Sequence, residues 1–347
     1  EDIEESLGEK FVAYFKAFCS STELHRLSRP APRTSGLDRL SNDLNELGIV
    51  GGNIRAFTDG WRRIHPFDFV PSSVDIIIST AQKVLFQSNK GENEKMPIAT
   101  GVLCKSGAIA GKNETKVQRV FAQRKVILCC GAIESPILLM KSGCGPVSIL
   151  RKIDQLNNGK ELKCGDVIIA NEYIGTNLQD HWVKRAEAKV PERYSYPLLY
   201  PRILGYKHRF QDIAVGFGKL QLAGKNLISI ATATCKNPGQ IVFHEGKLQP
   251  KLSVGPNDVE TYEKCFAELK RSLGGIGIQL IEKKKPFSPN WHLSCTLSIG
   301  TCVDDNLKLI GAENLYCSDV SVLKNIIPMN TQIVSYFIPY ALVSAEE

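Results

Sequence analysis

Arg124-Lys-Val-Ile-Leu-Cys-Cys130 is a short apolar run that stops on Gly131-Ala132 and gives way to Ser135-Pro136-Ile-Leu-Leu-Met-Lys-Ser142. Strand, glycine turn and apolar helix in that order constrain the fold more than any other stretch. Such a unit belongs to α/β architecture and lays a helix N-terminus where an anionic group can dock. Ser135 is placed to cap the helix, Pro136 suits a first turn because its missing N–H has no partner there, and Gly143 with Gly145-Pro146 ends it. Taken alone, the same unit is also an ordinary piece of α/β packing with no ligand.

The surroundings are of mixed type. Apolar side chains recur at helical spacing over residues 8–20 and again over 36–47, where Leu37, Leu40, Leu44 and Leu47 share a face. Arg29-Pro30-Ala31-Pro32-Arg33 separates these two helices as a connector. Short β-rich runs follow at Asp75–Thr80, Val84–Phe86 and Ile98–Leu103. From residue 183 to 290 the pattern changes, with β-like runs at Ala214–Phe217, Leu227–Thr234 and Ile276–Ile281 that predict a separate sheet. A length of 347 residues leaves room for two domains or one composite unit.

Several functional classes drop out on composition. Hydrophobic residues at 43% and charged residues at 23% exclude a disordered or coiled-coil chain. The net charge of +7 is scattered, its densest cluster being Lys283-Lys284-Lys285, and no basic stripe with interleaved aromatics suggests nucleic acid. Eleven cysteines in a chain this long, an odd count in which neither the adjacent Cys129-Cys130 nor Cys295 and Cys302, seven apart, gives the spacing of zinc ligands, read as reduced thiols and not as a disulfide framework or a zinc site. No run approaches the roughly 20 apolar residues of a transmembrane helix. The sequence starts at Glu1 with an acidic stretch, which predicts a fragment or processed product. Asn113-Glu114-Thr115 is a formal glycosylation sequon without a secretory signal beside it.

The segment Gly131-Ala132-Ile133-Glu134-Ser135-Pro136-Ile137-Leu138-Leu139-Met140-Lys141-Ser142-Gly143-Cys144-Gly145-Pro146 resembles the second signature of the glucose-methanol-choline oxidoreductase family, GA-x-x-S-P-x-L-L-x-x-S-G-I-G-P, with Cys144 in place of the usual Ile or Val. Further matches follow in order. Gly175-Thr176-Asn177-Leu178-Gln179-Asp180-His181 is similar to G-x-N-L-Q-D-H. Trp291-His292-Leu293-Ser294-Cys295-Thr296 resembles H-P-x-G-T, with Leu293 replacing Pro and Cys295 replacing Gly. Ser318-Asp319-Val320-Ser321-Val322 resembles the D-A-S-V segment, and Pro328-Met329-Asn330-Thr331-Gln332 matches the stretch that carries the family's second active-site His or Asn.

This resemblance implies an alcohol-oxidising flavoenzyme. Alcohol oxidation needs a hydride acceptor, which no side chain provides, so the implied cofactor is FAD; the protein supplies the base. His292 is the implied base, since neutral imidazole takes a proton near pH 7, and Asn330 is expected to hydrogen-bond the same substrate oxygen. The implied cofactor contacts are Gly131 and Ala132 at the turn, Asn177 in a covering segment, Asp319 and Val320 through their main-chain N–H groups, and Thr331 with Gln332 toward the flavin ring. Asp180 and His181 are given a structural role, and His25, His65, His208 and His244 fall on no motif.

The expected fold class is α/β with an α+β substrate domain: an incomplete, Rossmann-like FAD-binding domain plus an antiparallel-sheet substrate domain. Its partition is a helical peripheral segment over 1–65, a partial FAD-binding domain over 66–182, a substrate-binding domain over 183–290, and a return to the FAD-binding domain over 291–347. The partners implied are a small-molecule alcohol and oxygen or a quinone-like electron acceptor. Some family features are missing. No G-x-G-x-x-G turn occurs, the interval from His181 to His292 is short for a substrate region, and Pro339 is expected to break the terminal helix. Two readings therefore stand side by side, a portion of a longer FAD-dependent alcohol oxidoreductase and a degenerate noncatalytic binding or scaffold protein on the same core.

Overall fold

The computed structural model describes residues 2–22, 24, 29–30, 35–46, 55–56, 58–59, 62–63, 70–87, 96–106, 116–156, 167–194, 213–220, 225–232, 235–281, 286–328 and 330–344. The Asn113 sequon, Lys283-Lys284-Lys285, His25, His65 and His208 lie outside them. Helices α2 (Lys10–Cys19) and α3 (Ser35–Glu46) form where the helical spacing predicts, and α1 (Asp2–Leu7), which that spacing did not mark, precedes them. Phe11 and Phe18 of α2 are buried, and the ring of Phe337 meets both edge-on or tilted at centroid distances of 6.5 and 5.8 Å.

Strands β1 (Thr80–Gln87), β2 (Ile98–Lys105) and β3 (Val117–Phe121) form an antiparallel sheet in that order. The β-rich run before them behaves differently from expectation. Residues 75–79 carry no ladder, and Ile76, Ile77 and Ile78 are exposed, Ile78 by 87%. Propensity alone does not make a strand. A run of isoleucines needs a partner strand to pair its backbone, and none of the described residues supplies one.

Strand β4 (Val126–Leu128) leads into α4 (Gly131–Lys141), then β5 (Cys144–Gly145), α5 (Val147–Leu156) and β6 (Ile169–Ala170). β5 and β6 pair in parallel. The second region is built on β7 (Trp182–Lys189), β8 (Ile213–Leu220) and β9 (Lys225–Thr232), which pair antiparallel in the order β8-β9-β7. A hairpin of β10 (Gln240–His244) and β11 (Lys247–Lys251) turns on Glu245-Gly246, both at positive φ (48° and 77°), the signature of a type I′ turn.

Helix α6 (Pro256–Gly275) starts with proline at its first position, and the Asp258 carboxylate accepts the Gly255 N–H at 3.1 Å. Strands β12 (Gln279–Ile281) and β13 (Ser288–Pro289) complete the sheet on the other edge of β7. Strand β14 (Leu315–Cys317) then returns to pair in parallel with β4. Two separate apolar cores result. The larger contains α2, α4 and the C-terminal segment; the smaller contains Leu40, Tyr194, Tyr262, Phe266, Leu269 and Leu273.

The last helix, α7 (Gln332–Ser344), runs unbroken through Pro339, contrary to the expectation that this proline would end it. Proline removes one N–H and crowds the preceding turn, but burial of Val334, Phe337, Ile338, Ala341 and Leu342 outweighs that cost. Among the described residues no helix is long and apolar enough to cross a membrane, and Cys104, Cys129, Cys130, Cys235, Cys295, Cys302 and Cys317 are free thiols.

Candidate active site

The signature helix begins earlier than its local sequence predicts. α4 starts at Gly131, with Cys130 as its N-cap, so Ser135 and Pro136 lie inside it. The cap comes from elsewhere in the chain. Asp319 reaches back so that one carboxylate oxygen accepts the Gly131 N–H at 2.9 Å and the Ser135 hydroxyl at 2.6 Å, while the other accepts the Ser321 N–H at 2.8 Å. Ser135 Oγ in turn accepts the Cys130 N–H. A carboxylate at a helix N-terminus is favoured both by the open N–H groups and by the helix dipole.

Pro136 has a consequence four residues back. Its missing N–H leaves the Ala132 carbonyl without a helical partner, and the hydroxyl of Thr296 donates to that oxygen at 2.7 Å. Thr296 is fully buried. The same segment runs beside the Asp319–Val322 turn, where Cys295 donates its N–H to Val320 and Leu297 to Ser321, at 3.1 and 2.8 Å. Residues 131–132, 292–297 and 319–321 are thereby one hydrogen-bonded cluster.

His292 sits at the open end of this cluster. The Asp180 carboxylate accepts the backbone N–H groups of His181, Trp291 and His292 at 2.8, 3.1 and 2.8 Å. Trp291 holds a positive φ of 60° and is 77% exposed, while the His292 ring faces inward. Nδ1 of His292 lies 2.8 Å from Nδ1 of His181, the two rings edge to face, and His181 Nε2 lies 2.9 Å from the Ile327 carbonyl. Burial holds the His292 pKa below its usual 6.5, so the ring is neutral near pH 7. Burial also raises the Asp180 carboxyl, against the pull of its N–H donors.

The other sequence candidates divide into two groups. Asn177, at φ 59°, donates its amide to the Lys324 carbonyl at 2.8 Å and accepts from Gln179 at 2.9 Å, so its polar atoms brace the protein itself. Asn330 accepts the Gln332 N–H at 2.9 Å, capping α7, and its amide nitrogen has no partner among the described residues. Thr331 gives its carbonyl to Ser335. No hydrogen bond joins Asn330 to His292. Asp180 and His181, assigned a structural role from sequence, are the residues that hold His292. The signal available was their adjacency: a carboxylate and an imidazole side by side in a polar run that ends at a strand.

Cys295 stands where the resemblance expects glycine, yet it keeps a left-handed backbone at φ 74°, and burial drives its thiol far above the normal range. Cys129, just before the turn, is pushed up to about 11 by burial of its thiol and by Asp319, so it is a protonated thiol and not a nucleophile at neutral pH.

Profiles described as GMC oxidoreductase match residues 70–183 and 246–338, which enclose every element of this cluster. The chain belongs to the GMC oxidoreductase family. Among curated relatives it is similar to the oxygen-dependent choline dehydrogenase of Acinetobacter baumannii, 30% identical over 136 residues, which is 39% of this chain and 20% of that protein. The enzyme of the same name from Yersinia pestis is 31% identical over 138 residues, 37% of this chain and 22% of that protein. The chain thus matches about a fifth of the length of these relatives. The fold is shared with formate oxidase of Aspergillus oryzae, with a TM-score of 0.72 and 15% identity over 99% of this chain and 80% of that one. Pyridoxine 4-oxidase of Mesorbium loti gives 0.64 at 18% identity, over 92% and 71%.

FAD is the cofactor of this family, and the GMC cluster fits part of it. The N–H groups of Asp319 and Val320 have no partner among the described residues, and the flanking hydroxyls of Ser318 and Ser321 are buried without one. Gly131, at φ +81°, has open space where a side chain would project. Unmet donors around an open turn suit an anionic linkage. The G-x-G-x-x-G turn that holds the pyrophosphate in such folds is absent from this sequence.

Proposed function

We propose that this chain carries the substrate-oxidising centre of a FAD-dependent GMC oxidoreductase that acts on a primary or secondary alcohol. One observation supports this most: a neutral, half-buried imidazole, His292, lies in the segment that Cys295 ties to the turn whose unmet N–H groups suit the cofactor and that Thr296 ties to Ala132. FAD, when bound, accepts the hydride. The chain's residues do the rest. His292 takes the hydroxyl proton at its ring nitrogen, Asn330 offers its amide nitrogen to the same oxygen, and the Asp319 turn holds the cofactor through main-chain N–H groups. Gly131 and Ala132 admit it closely, and Thr331 with Gln332 lie toward its ring. The antiparallel sheet of residues 183–290 is the proposed substrate-binding part, with 66–182 and 291–347 as the cofactor part, and oxygen or a quinone-like carrier as final acceptor.

Anaerobic mixing of the FAD-loaded protein with a panel of alcohols tests this reading. His292→Ala is expected to slow flavin reduction by about 10² or more, the share a positioned general base supplies. An unchanged rate sinks the assignment of His292. The acid limb of the rate profile is expected below pH 6.5, because burial lowers the His292 pKa.

A further inference from the structure

The contact between the two histidines has a definite proton arithmetic. The Ile327 carbonyl only accepts, so Nε2 of His181, 2.9 Å away, must carry a hydrogen. His181 is 3% exposed, which disfavours a second proton and a charge on its ring. Its Nδ1 is then a bare lone pair. That lone pair lies 2.8 Å from Nδ1 of His292, and two lone pairs do not approach so closely; the proton between them must belong to His292. With Nδ1 of His292 protonated, its Nε2 is the basic nitrogen.

We infer that His181 is a positioning residue that fixes His292 in the Nδ1–H tautomer, leaving Nε2 as the base that faces substrate. The inference rests on the reading of His292 as the base. Asp180 completes the device. Its carboxylate fixes the backbone of Trp291 and His292, so the side chain of one residue sets where the ring starts and that of its neighbour sets which nitrogen is free. Asn290, whose amide lies 3.2 Å from Nδ1 of His292, must then present its oxygen to the shared proton, since an N–H cannot donate to an N–H. Holding an imidazole in one tautomer is how a buried partner contributes to base catalysis without touching substrate.

The tautomers are directly readable. The intact chain, labelled with 15N-histidine and studied at pH 8 by two-bond 1H–15N correlation, is expected to show His181 as the Nε2–H and His292 as the Nδ1–H tautomer, with His181→Asn and His292→Gln giving the assignments. His181→Asn places an oxygen near the former Nδ1 and is expected to keep the His292 Nδ1–H form. His181→Leu combined with Asn290→Leu removes both acceptors of that proton and is expected to move His292 toward Nε2–H, and to slow flavin reduction by about 10- to 100-fold, the range that partners orienting a functional imidazole command elsewhere. An Nε2–H tautomer for His292 in the unmodified chain, an imidazolium at His181, or a spectrum of the double variant with His292 unmoved overturns the inference. The base reading fails by a separate outcome, a His292→Ala protein that reduces flavin at the wild-type rate, which leaves the tautomer result standing.

Discussion

The two regions of the chain are held together by different kinds of bond. The sheet β8-β9-β7 and its helix α6 use repeating ladders and an apolar core, with Tyr262 and Phe266 stacked 5.7 Å apart. In the cluster around α4, single side chains clasp backbone across long stretches of sequence: Asp319 on Gly131, Thr296 on Ala132, Asn177 on Lys324, Asp180 on His292. Its backbone is irregular as well, with Asn177, Trp291 and Cys295 at φ of 59°, 60° and 74°. A ladder tolerates side-chain change because main-chain bonds carry it. A clasp does not, since each buried polar group depends on one partner. Conformational cost at non-glycine positions collects where geometry is demanded.

Four measurements bear on this contrast. Phe266→Ala empties part of the smaller core and is expected to cost about 3–5 kcal/mol in equilibrium unfolding, while leaving the His292 tautomer unmoved. A shifted His292 resonance would mean the regions act as one unit. Thr296→Val removes a single hydroxyl and strands the Ala132 carbonyl, for an expected loss of about 1–3 kcal/mol; Thr296→Ser should restore most of it. No loss from the valine variant would break the claim that clasps hold the cluster.

The third is a pH effect on stability, and its sign follows from burial. Because the folded protein holds His292 below 6.5, the unfolded chain binds the proton first as pH falls. Stability is full above pH 6.5, declines as pH drops toward the folded value with a slope of at most about 1.4 kcal/mol per pH unit from this group, and then levels off. In His292→Gln this component should vanish from chemical denaturation curves. The smallest effect is expected in the ladder region, where Glu263→Gln breaks the 2.7 Å pair with Lys184. With Glu263 about half exposed, the cost should stay below about 1 kcal/mol and shrink in salt.

What the sequence disclosed follows the same division. The order of motifs from Gly131 to Gln332 pointed to the family, and the helices over 10–19 and 35–46 were readable from apolar spacing. Local rules failed where a distant group intervened. Ser135 and Pro136 have the local look of a helix start, but the acceptor that fixes the real start is Asp319, 184 residues from Ser135. Residues 75–79 have β propensity and no pairing strand among the described residues. His181 offers no hint, within a window of ordinary length, that its ring meets a second histidine 111 residues on.

The bond from Thr296 to Ala132 also bears on how the chain is made. The two residues are 164 apart, and the antiparallel sheet lies between them. During synthesis α4 therefore emerges with an exposed carbonyl at Ala132 and an uncapped first turn, and both stay hydrated until the later segment appears. The intervening sheet can complete its own ladders in the meantime, as a unit inserted into an unfinished host. Closure of the long loop then comes last, at an entropic cost that grows only slowly with its length, so the centre forms in one late step, once residues 292–321 are available.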